Sequence, residues 1–323
     1  MLYPLTFQPI VKERVWGGRK LEALYQKLLP PRVPIGESWE VSDHENDVSI
    51  IADGPLAGKD LHWLVQNHQS ELLGDVKPLK GHFPLLIKIL DAEEKLSLQV
   101  HPPPEKAAEL GGEPKTEMWY IAEAAPGAEL YVGLKRGVTR EEFERKIKDV
   151  SVAECFHRIP VKAGDAMFLP SGRVHAIGAG LVIFEIQQNS DTTYRVFDWN
   201  RMGLDGKPRA LHVRESLASI NFQDFEPPLI ETKFTGSGPV KPRPLVDVKL
   251  FEVEAIRMEA GASFQLNPGQ MQIVAVLSGK IRILNKTSTV HLEAGQFCLL
   301  PACLADVVAQ AQAGSTFLRV EGR

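Results

Sequence analysis

The alternation of apolar and polar residues predicts a chain built mainly from short β-strands. Residues 83–90 and 95–100 are rich in Leu, Ile and Val, and the polar turn 91–94 separates them. Short apolar or alternating runs bounded by Gly, Pro and Asp are typical of strands, because successive strand side chains point to opposite faces. The same pattern predicts strands over four further segments, residues 117–122, 129–133, 166–169 and 181–188.

Helical periodicity is confined to four segments. Apolar residues recur at helical spacing in residues 19–29 and 61–73, and in the charged stretch 140–148. A proline followed by apolar and polar residues at similar spacing predicts one more helix within residues 208–220. The sequence therefore predicts a mainly β fold with a few flanking helices.

A segment rich in Pro and Gly divides the chain. We predict an N-terminal domain over residues 1–222, an extended connector over 223–245 and a C-terminal domain over 246–323. Residues 159–170 align with residues 290–301, since both read as an apolar strand, Ala-Gly, a second strand and a proline. This weak repeat predicts two related antiparallel barrels, of which the first carries the chemistry.

Composition narrows the functional classes. The formal charge of the 323 residues is −4, and the 37 basic and 41 acidic residues are dispersed, which argues against nucleic acid and membrane surfaces as partners. No apolar run is long enough to span a bilayer, and the first residues do not resemble a signal peptide. Three cysteines without C-x-x-C spacing, Cys155, Cys298 and Cys303, favour a reducing environment. We expect a cytoplasmic protein, monomeric or homodimeric, with a small-molecule partner.

Two histidines and a carboxylate stand in two separate motifs. His101 and Glu117 belong to the first, and His175 closes the second after a Pro-Ser-Gly turn that reverses the chain. Two imidazoles and a carboxylate leave coordination positions for water or substrate, which is typical of a catalytic metal site. The remaining histidines lack such neighbours, and we assign no metal role to them: His44, His62, His68, His82, His157, His212 and His291.

Strand parity indicates that these side chains converge. Gln99 lies on the same face as His101, and Lys115 shares a face with Glu117 and Trp119. If both faces point into the first barrel, the histidine and the carboxylate reach one ion. Gln99 is a weak donor, which either binds the metal through its amide oxygen or hydrogen-bonds to a metal ligand.

These motifs resemble those of known proteins. Residues 164–175 read Gly-x5-Pro-x-Gly-x2-His and resemble the second motif of cupins, and residues 99–119 resemble a stretched first motif in which Gln99 replaces a histidine. Cupin spacing alone is compatible with dioxygenases, decarboxylases, isomerases and binding proteins. The resemblance implies that the two predicted barrels are jelly rolls of the cupin class.

A longer segment makes the resemblance specific. Residues 178–199, which read GAGLVIFEIQQNSDTTYRVFDW, resemble type I mannose-6-phosphate isomerase, also called phosphomannose isomerase, together with residues 96–102 and 115–119. The chain is most similar to the short bacterial form, and residues 15–18 and 36–42 look like its N-terminal stretches. The likeness extends from about residue 3 to residue 221, and more loosely to the end of the chain.

The resemblance implies an activity and a set of site residues. The family interconverts mannose 6-phosphate and fructose 6-phosphate with one bound zinc per chain. Its active-site arginine corresponds to Arg195, and Lys115 falls on a family lysine discussed as a proton-transfer group. The implied metal ligands are Gln99, His101, Glu117 and His175.

Isomerisation through an enediol needs a base and a group that stabilises negative charge on oxygen. Arg195 either stabilises the enediolate or pairs with Asp198 or Asp191. Lys115 serves as the base only if burial and the metal lower its pKa, as we expect, and otherwise forms a salt bridge with Glu117. Asp191 is a candidate for ring opening or for orienting Arg195.

The sequence contains no Gly-rich phosphate loop, so scattered groups must bind the phosphate. Ser97 and Lys88 are candidates, although Lys88 also fits a lysine at the barrel rim that extends its ammonium group to water. The leading hypothesis is a zinc-dependent mannose-6-phosphate isomerase. The alternatives are an isomerase of another sugar phosphate, a sugar-binding or sugar-sensing cupin, and an oxygen-using cupin.

Overall fold

The protein, seen here as a computed structural model that describes residues 2–45, 47–286 and 288–323, consists mainly of β-strands. The predicted class is confirmed. The strands are β1 (Ile10–Gly18), β2 (Ile35–Val41), β3 (Asp43–His44), β4 (Asp47–Val48), β5 (Leu85–Ala92), β6 (Leu98–Val100), β7 (Glu117–Ala124), β8 (Glu129–Leu134), β9 (Phe156–Pro160), β10 (Ala166–Leu169), β11 (His175–Ile177), β12 (Leu181–Gln188), β13 (Tyr194–Phe197), β14 (Val240–Asp247), β15 (Phe251–Met258), β16 (Ser263–Gln265), β17 (Gln272–Ser278), β18 (Lys280–Asn285), β19 (Ser288–Glu293), β20 (Phe297–Leu300), β21 (Val308–Ala311) and β22 (Ser315–Gly322).

The helices are short and flank the sheets. They are α1 (Lys20–Tyr25), α2 (Leu61–Leu73), α3 (Pro104–Ala107), α4 (Arg140–Lys148) and α5 (Val213–Ser219), with a 3-10 helix at Val152–Cys155. The carboxylate of Asp60 accepts a hydrogen bond from the Trp63 backbone N–H at the start of α2, and Thr139 caps α4 in the same way. Both helices have the predicted bounds. The first helix ends at Tyr25, earlier than predicted, because Gln26 adopts a left-handed conformation.

The strands form two pairs of large antiparallel sheets. The N-terminal sheet pair has the strand orders β1-β2-β5-β12-β7-β10 and β13-β6-β11-β8-β9, and the C-terminal sheet pair has the orders β14-β15-β22-β17-β20 and β16-β21-β18-β19. When β1 and β13 are left out, the two pairs have the same order of strands. Strands β9 and β10 of the predicted repeat therefore occupy the same positions as β19 and β20.

The repeat also has a common turn. Gly164 lies between β9 and β10 with φ of 92°, and Gly295 lies between β19 and β20 with φ of 78°. Only glycine adopts these angles without steric strain, which explains the Ala-Gly in both copies of the repeat. The turn places β10 and β20 at the edge of their sheets.

Four clusters of apolar side chains stabilise the described part of the fold, and three of them form layers within or between the sheet pairs. One lies inside the N-terminal sheet pair, around Trp119 and Ile183, and another inside the C-terminal sheet pair, around Val274 and Phe317. The third and largest lies between the two pairs, where the outer faces of their larger sheets pack together. Strand alternation explains this division, because neighbours such as Phe184 in β12 face the layer between the pairs.

The predicted connector is partly a strand. From Val240, its last residues form β14, which pairs with β15 in the C-terminal sheet pair. No helix in the described part of the chain is both long and apolar enough to cross a membrane.

Candidate metal centre and cleft

Polar side chains fill one end of the interior of the N-terminal sheet pair. In β12, Glu185 has the same parity as the interior residue Ile183, and in β7 Glu117 has the same parity as Trp119. His175 pairs directly with Gln99 across β11 and β6 in the facing sheet. The folding pattern therefore brings groups that are distant in sequence to one end of a shared interior.

The three side chains predicted to bind a metal meet at this end. Ligand atoms of His101, Glu117 and His175 all lie within 4.8 Å of one another, and all three residues are buried. Glu117 Oε1 lies 2.6 Å from His101 Nε2 and 3.5 Å from His175 Nε2. The imidazole centroids are 4.8 Å apart. Tetrahedral zinc with bonds of 2.0 to 2.2 Å needs ligand atoms about 3.3 to 3.6 Å apart, so the separation of Glu117 from His175 fits and that of Glu117 from His101 is about 0.7 Å too short.

Backbone carbonyls fix the tautomers of both histidines. His101 Nδ1 lies 2.7 Å from the Thr192 carbonyl oxygen, and His175 Nδ1 lies 3.0 Å from that of Arg173. Since a carbonyl can only accept, each Nδ1 carries the proton, and each Nε2 directs a lone pair towards Glu117. This is the orientation that metal-binding histidines require.

The charge states of these groups also suit a cation. Burial lowers the pKa of His175 to about 4, and burial together with the Lys115 ammonium lowers the pKa of His101 well below its usual value. Burial raises the pKa of Glu117, but Lys115 and His175 outweigh it and the net shift is downward. Two neutral imidazoles and an ionised carboxylate therefore bring their ligand atoms to the same place.

Two buried atoms show that the site is incomplete without a positive charge. His101 Nε2 and Glu117 Oε1 have no hydrogen-bond partner in the described part of the chain, although they face each other at 2.6 Å. A lone pair and a carboxylate oxygen repel each other at this distance unless a cation or proton lies between them. The donors and their geometry thus fit a divalent metal.

Gln99 lies beside this cluster. Its Nε2 is 3.2 Å from His175 Nε2, and the buried Ser97 hydroxyl donates to its Oε1 over 3.3 Å. A rotation of 180° about the last side-chain bond would exchange the amide oxygen and nitrogen. Gln99 is therefore positioned either to bind the ion or to hydrogen-bond to His175. These are the two alternatives that the sequence allowed.

Trp119 holds two carboxylates together beside the metal cluster. Its indole N–H donates to Glu185 Oε2 at 2.8 Å and to Glu117 Oε2 at 3.1 Å. Burial and the neighbouring Glu117 raise the pKa of Glu185. The sequence reasoning missed Glu185, which lines the cleft, although a charge inside an apolar strand was the signal that singled out Lys88.

The protein's own groups do not produce the decrease in the pKa of Lys115 that we expected. Burial lowers it, but the carboxylates of Glu117 and Glu185 outweigh burial, and the net shift is upward. Lys115 Nζ lies 3.9 Å from Glu117 Oε1, so the salt bridge considered from the sequence does form. The expected effect of burial is therefore confirmed and that of a bound metal stays a prediction, whereas the opposing effect of Glu185, which comes from a distant strand, was not anticipated.

Lys88 is not a lysine at the rim. Its side chain is 3% exposed, and its Nζ lies 3.6 Å from Glu185, 3.9 Å from Asp191 and 4.0 Å from Glu37. The ammonium group also lies 4.7 Å from the ring centroid of Trp39. Lys88 thus offsets a group of carboxylates, and its charge is less available to a ligand than the sequence suggested.

Arg195 differs from the other arginines of the cleft. Arg14 is paired with Glu37, and Arg209 with Asp198, whereas Arg195 forms no ion pair within the described ranges. Its Nε is buried without a hydrogen-bond partner there. The surface ion pair considered from the sequence is therefore absent, and Asp191 does not orient Arg195.

A cleft of about 540 Å³ lies beside the metal cluster, and His101, Glu117 and His175 themselves do not line it. Of the predicted residues, Ser97, Lys88, Gln99, Lys115, Asp191 and Arg195 line it. The sequence reasoning missed Arg14, Glu37 and Arg209, which also line it and come from β1, β2 and the segment after β13. Only Glu37 lay in a stretch singled out by resemblance. An opening of this size beside a buried cation site can hold a small molecule.

The prediction that the other histidines lack metal-binding neighbours was wrong for two of them. Ligand atoms of His62 and His82 lie within 4.8 Å of each other and of Asp43. These residues come from three separate segments, so their sequence positions gave no sign of the cluster.

The fold and the centre together define a cupin-type protein with a candidate metal site inside a mainly β scaffold. The family model of the catalytic domain of type I phosphomannose isomerase matches residues 5–117. The probable mannose-6-phosphate isomerase GmuF of Bacillus subtilis is 37% identical over 94% of both chains, and the mannose-6-phosphate isomerase of Streptococcus mutans is 36% identical over 93% of both. The chain belongs to the mannose-6-phosphate isomerase family.

Solved structures agree with this assignment. The crystal structure of the Bacillus subtilis mannose 6-phosphate isomerase matches with a TM-score of 0.90 and 30% identity over 99% of both chains. A zinc-bound holo form of a mannose 6-phosphate isomerase matches with a TM-score of 0.78 over 100% of both chains, at 17% identity, and shares the fold.

Proposed function

We propose that this protein is a metal-dependent isomerase that interconverts mannose 6-phosphate and fructose 6-phosphate. The observation that carries the proposal is the convergence of His101 Nε2, His175 Nε2 and Glu117 Oε1 beside a cleft lined by Lys115 and Arg195. Membership of the mannose-6-phosphate isomerase family supports the choice of substrate.

His101, Glu117 and His175 are the proposed protein ligands, with Gln99 either a fourth ligand or a contact to His175. Zinc is the proposed ion, because imidazole and carboxylate donors in a site of this size suit it and a structure of the same fold has zinc bound. When bound, such an ion supplies a Lewis acid for the sugar oxygens at the reacting carbons.

Arg195 is the proposed contact for the negative charge that develops on the sugar. It lines the cleft, and no carboxylate in the described part of the chain forms an ion pair with it. An enediol is the intermediate expected for proton transfer between adjacent carbons, and its oxygen gains charge as the proton leaves. A fixed guanidinium stabilises this charge without having to change its protonation state.

Two groups are proposed for proton transfer. Lys115 retains its proton next to Glu117 and Glu185, which favours a role as proton donor before a role as base. Burial and the neighbouring Glu117 raise the pKa of Glu185, which favours a carboxyl group that can hold a proton and return it. Comparison of the pH profiles of Lys115→Met and Glu185→Gln would assign these roles.

The phosphate is proposed to contact Ser97 and the basic side chains that line the cleft. Lys88 remains a candidate, but its three carboxylate neighbours reduce its attraction for an anion. Asp191 lines the cleft with a half-exposed side chain and is proposed to contact the sugar hydroxyls during ring opening. The rest of the proposal is a cytoplasmic protein, monomeric or homodimeric, which size-exclusion chromatography with light scattering would test.

A coupled assay for fructose 6-phosphate tests the activity. The zinc-loaded protein is expected to convert mannose 6-phosphate, and conversion in D2O is expected to place deuterium at the reacting carbons. Turnover of glucose or allose 6-phosphate in preference to mannose 6-phosphate would identify another sugar-phosphate isomerase. Binding of the sugar phosphate without deuterium incorporation would identify a binding protein, and oxygen uptake with bound iron would identify an oxygen-using cupin.

A further inference from the structure

A second cluster of metal-binding side chains lies outside the cleft. Asp43 belongs to β3, His62 to the first turn of α2, and His82 to the segment before β5. Their ligand atoms lie within 4.8 Å of one another, and the only other such group among the described residues is the centre of the cleft. The second cluster combines one carboxylate with two imidazoles, as the first does.

The spacing of the ligand atoms fits a tetrahedral ion. Asp43 Oδ1 lies 3.1 Å from His62 Nδ1 and 3.2 Å from His82 Nδ1. Neighbouring ligands of a tetrahedral zinc with bonds of 2.0 to 2.2 Å are about 3.3 to 3.5 Å apart. The two measured separations are slightly shorter than this value, as expected for ligand atoms that contact each other directly.

Asp43 is fixed from two sides. It is fully buried, and its Oδ2 accepts a hydrogen bond from the Phe83 backbone N–H at 2.7 Å. The Asn189 side-chain amide donates to the Asp43 carbonyl oxygen at 2.8 Å. The carboxylate is therefore held in place before any ion binds, which reduces the entropy cost of binding.

The histidines are oriented and accessible. Their ring centroids are 4.6 Å apart with the ring planes inclined by 31°, and their side chains are 31% and 37% exposed, so water can reach the cluster. The Gln66 amide nitrogen lies 2.7 Å from His62 Nε2, and a rotation of the amide by 180° would place its oxygen there instead. If the amide oxygen of Gln66 accepts the Nε2 proton, His62 Nδ1 has a lone pair that faces Asp43, and a cation or proton must separate them.

We propose that Asp43, His62 and His82 form a second site for a divalent transition metal of the zinc class, with water completing its coordination. The ligands would be Asp43 Oδ1 and the Nδ1 atoms of both histidines. The site differs from the centre in the cleft in being partly exposed, which indicates weaker binding and faster exchange. The competing arrangement is a purely hydrogen-bonded group in which both imidazoles donate to the carboxylate.

The second site is connected to the first through the backbone. Asn189, which binds the Asp43 carbonyl, precedes Thr192 by three residues, and the Thr192 carbonyl orients His101. An ion that immobilises Asp43 would therefore also restrain the segment that positions one ligand of the centre in the cleft.

Metal stoichiometry of the full-length protein tests the proposal. We would titrate metal-stripped protein with Zn2+ against a chromophoric chelator, and with Co2+ while recording its visible absorption. The wild type is expected to bind two equivalents, one tightly and one more weakly. The variant His62→Ala/His82→Ala is expected to lose only the weaker equivalent, and Glu117→Gln is expected to weaken only the tight one.

His68→Ala is the matched control, because His68 lies on the same helix and contacts Glu71 outside the cluster. It is expected to retain both equivalents. The proposal is overturned if the wild type binds a single equivalent, or if the second equivalent persists in His62→Ala/His82→Ala. Should the double variant fail to fold, His82→Gln preserves most of the packing and must weaken the second equivalent by at least about tenfold. These readouts do not depend on the sugar substrate.

Discussion

The two sheet pairs share a strand order and a pairing register, yet their interiors differ. In the N-terminal pair Leu169 of β10 is paired with Glu117 of β7, and in the C-terminal pair Leu300 of β20 is paired with Gln272 of β17. Because the repeat aligns Leu169 with Leu300, Gln272 occupies the position of Glu117. An uncharged amide thus replaces the carboxylate.

The histidine positions are also replaced. His175 is paired with Val132 in one pair, and Ala309 with Ile283 in the equivalent place of the other. Gln99 is paired with His175, whereas Phe264 is paired with Ala309. Leu266, two residues after Phe264, occupies the position of His101 and is buried in the apolar interior. The same framework therefore supports either a polar centre or a packed core.

The charged groups differ in the same way. Lys88 and Glu185 are paired across β5 and β12 in the N-terminal pair, and both line the cleft. Their counterparts Glu254 and Arg319 reverse the charges, and Arg319 is 5% exposed and bound by three carboxylates. Lys88 likewise has three carboxylate neighbours, so a buried cation surrounded by carboxylates is common to both pairs. Arg195 of the cleft, which forms no ion pair within the described residues, is the cation that differs from Arg319 in pairing.

The largest effect is expected from exchanging the amide for the carboxylate at equivalent positions. Glu117→Gln should reduce kcat/KM by at least about 10³-fold and lower the bound metal, because a ligand worth several kcal/mol is lost. Gln272→Ala at the matching position should leave kcat/KM within about twofold. The coupled assay and metal analysis check both, and similar losses in the two variants would contradict the comparison.

Arg195 and Arg319 provide the next test. Arg195→Lys should lower kcat by about 10²-fold with little change in stability, since a lysine cannot reproduce the geometry of the guanidinium. Arg319→Lys should instead reduce the free energy of unfolding by about 1 to 3 kcal/mol and leave kcat unchanged. Steady-state kinetics and urea denaturation separate the outcomes. A loss of activity in both variants would argue against the assignment of Arg195.

Acid should destabilise the metal-free protein through the N-terminal pair. The folded-state pKa of His175 is about 4, below the usual 6.5, so the unfolded state binds more protons between these values. This contribution to stability is fully present above pH 6.5 and is lost as the pH falls towards 4. Between pH 7 and 4.5 it amounts to about 2 to 3 kcal/mol.

His175→Ala, which copies Ala309 of the other pair, should show a smaller loss between the two pH values. Urea denaturation at each pH gives the comparison. The test compares how steeply the free energy of unfolding changes with pH in the two proteins, because the substitution also removes buried volume and changes stability at every pH. Equal pH dependence in both proteins would show that His175 is not held neutral by burial.

The smallest effect is expected at Phe264, which corresponds to Gln99. Its half-buried ring contacts Phe317 at a centroid distance of 6.1 Å in the C-terminal interior. Phe264→Ala should cost about 2 kcal/mol of unfolding free energy, less than for a fully buried phenylalanine. Thermal and urea denaturation measure the loss. The kcat should not change, and a decrease would mean that the C-terminal interior takes part in the reaction.

The sequence predicted the residues of the centre better than their electrostatics. Strand parity and the turn before His175 were sufficient to bring His101, Glu117 and His175 together, because both depend on local geometry. The upward shift that Glu117 and Glu185 together produce in the pKa of Lys115 was not predicted, since Glu185 lies in a strand whose neighbours are set by the fold. Local pattern does not reveal which distant charges become adjacent.

The same limit explains the cluster of Asp43, His62 and His82. Each residue comes from a different segment, and no spacing rule connects a short strand, a helix start and a turn. The helices α2 and α4 were predicted with their bounds because capping residues and apolar periodicity are local signals. The connector was predicted too long because its prolines Pro242 and Pro244 lie in the edge strand β14, where the missing N–H is tolerated.

The layer between the sheet pairs has a consequence for the chain as a whole. Leu5, near the start, is paired with Leu299 of β20, and the same layer buries Phe184 of one pair and Phe297 of the other, whose rings stack at 5.5 Å. Each half alone would therefore expose an apolar face that the other half covers. A fragment that ends at residue 222 would expose this face and aggregate, and the intact chain should melt in a single cooperative transition.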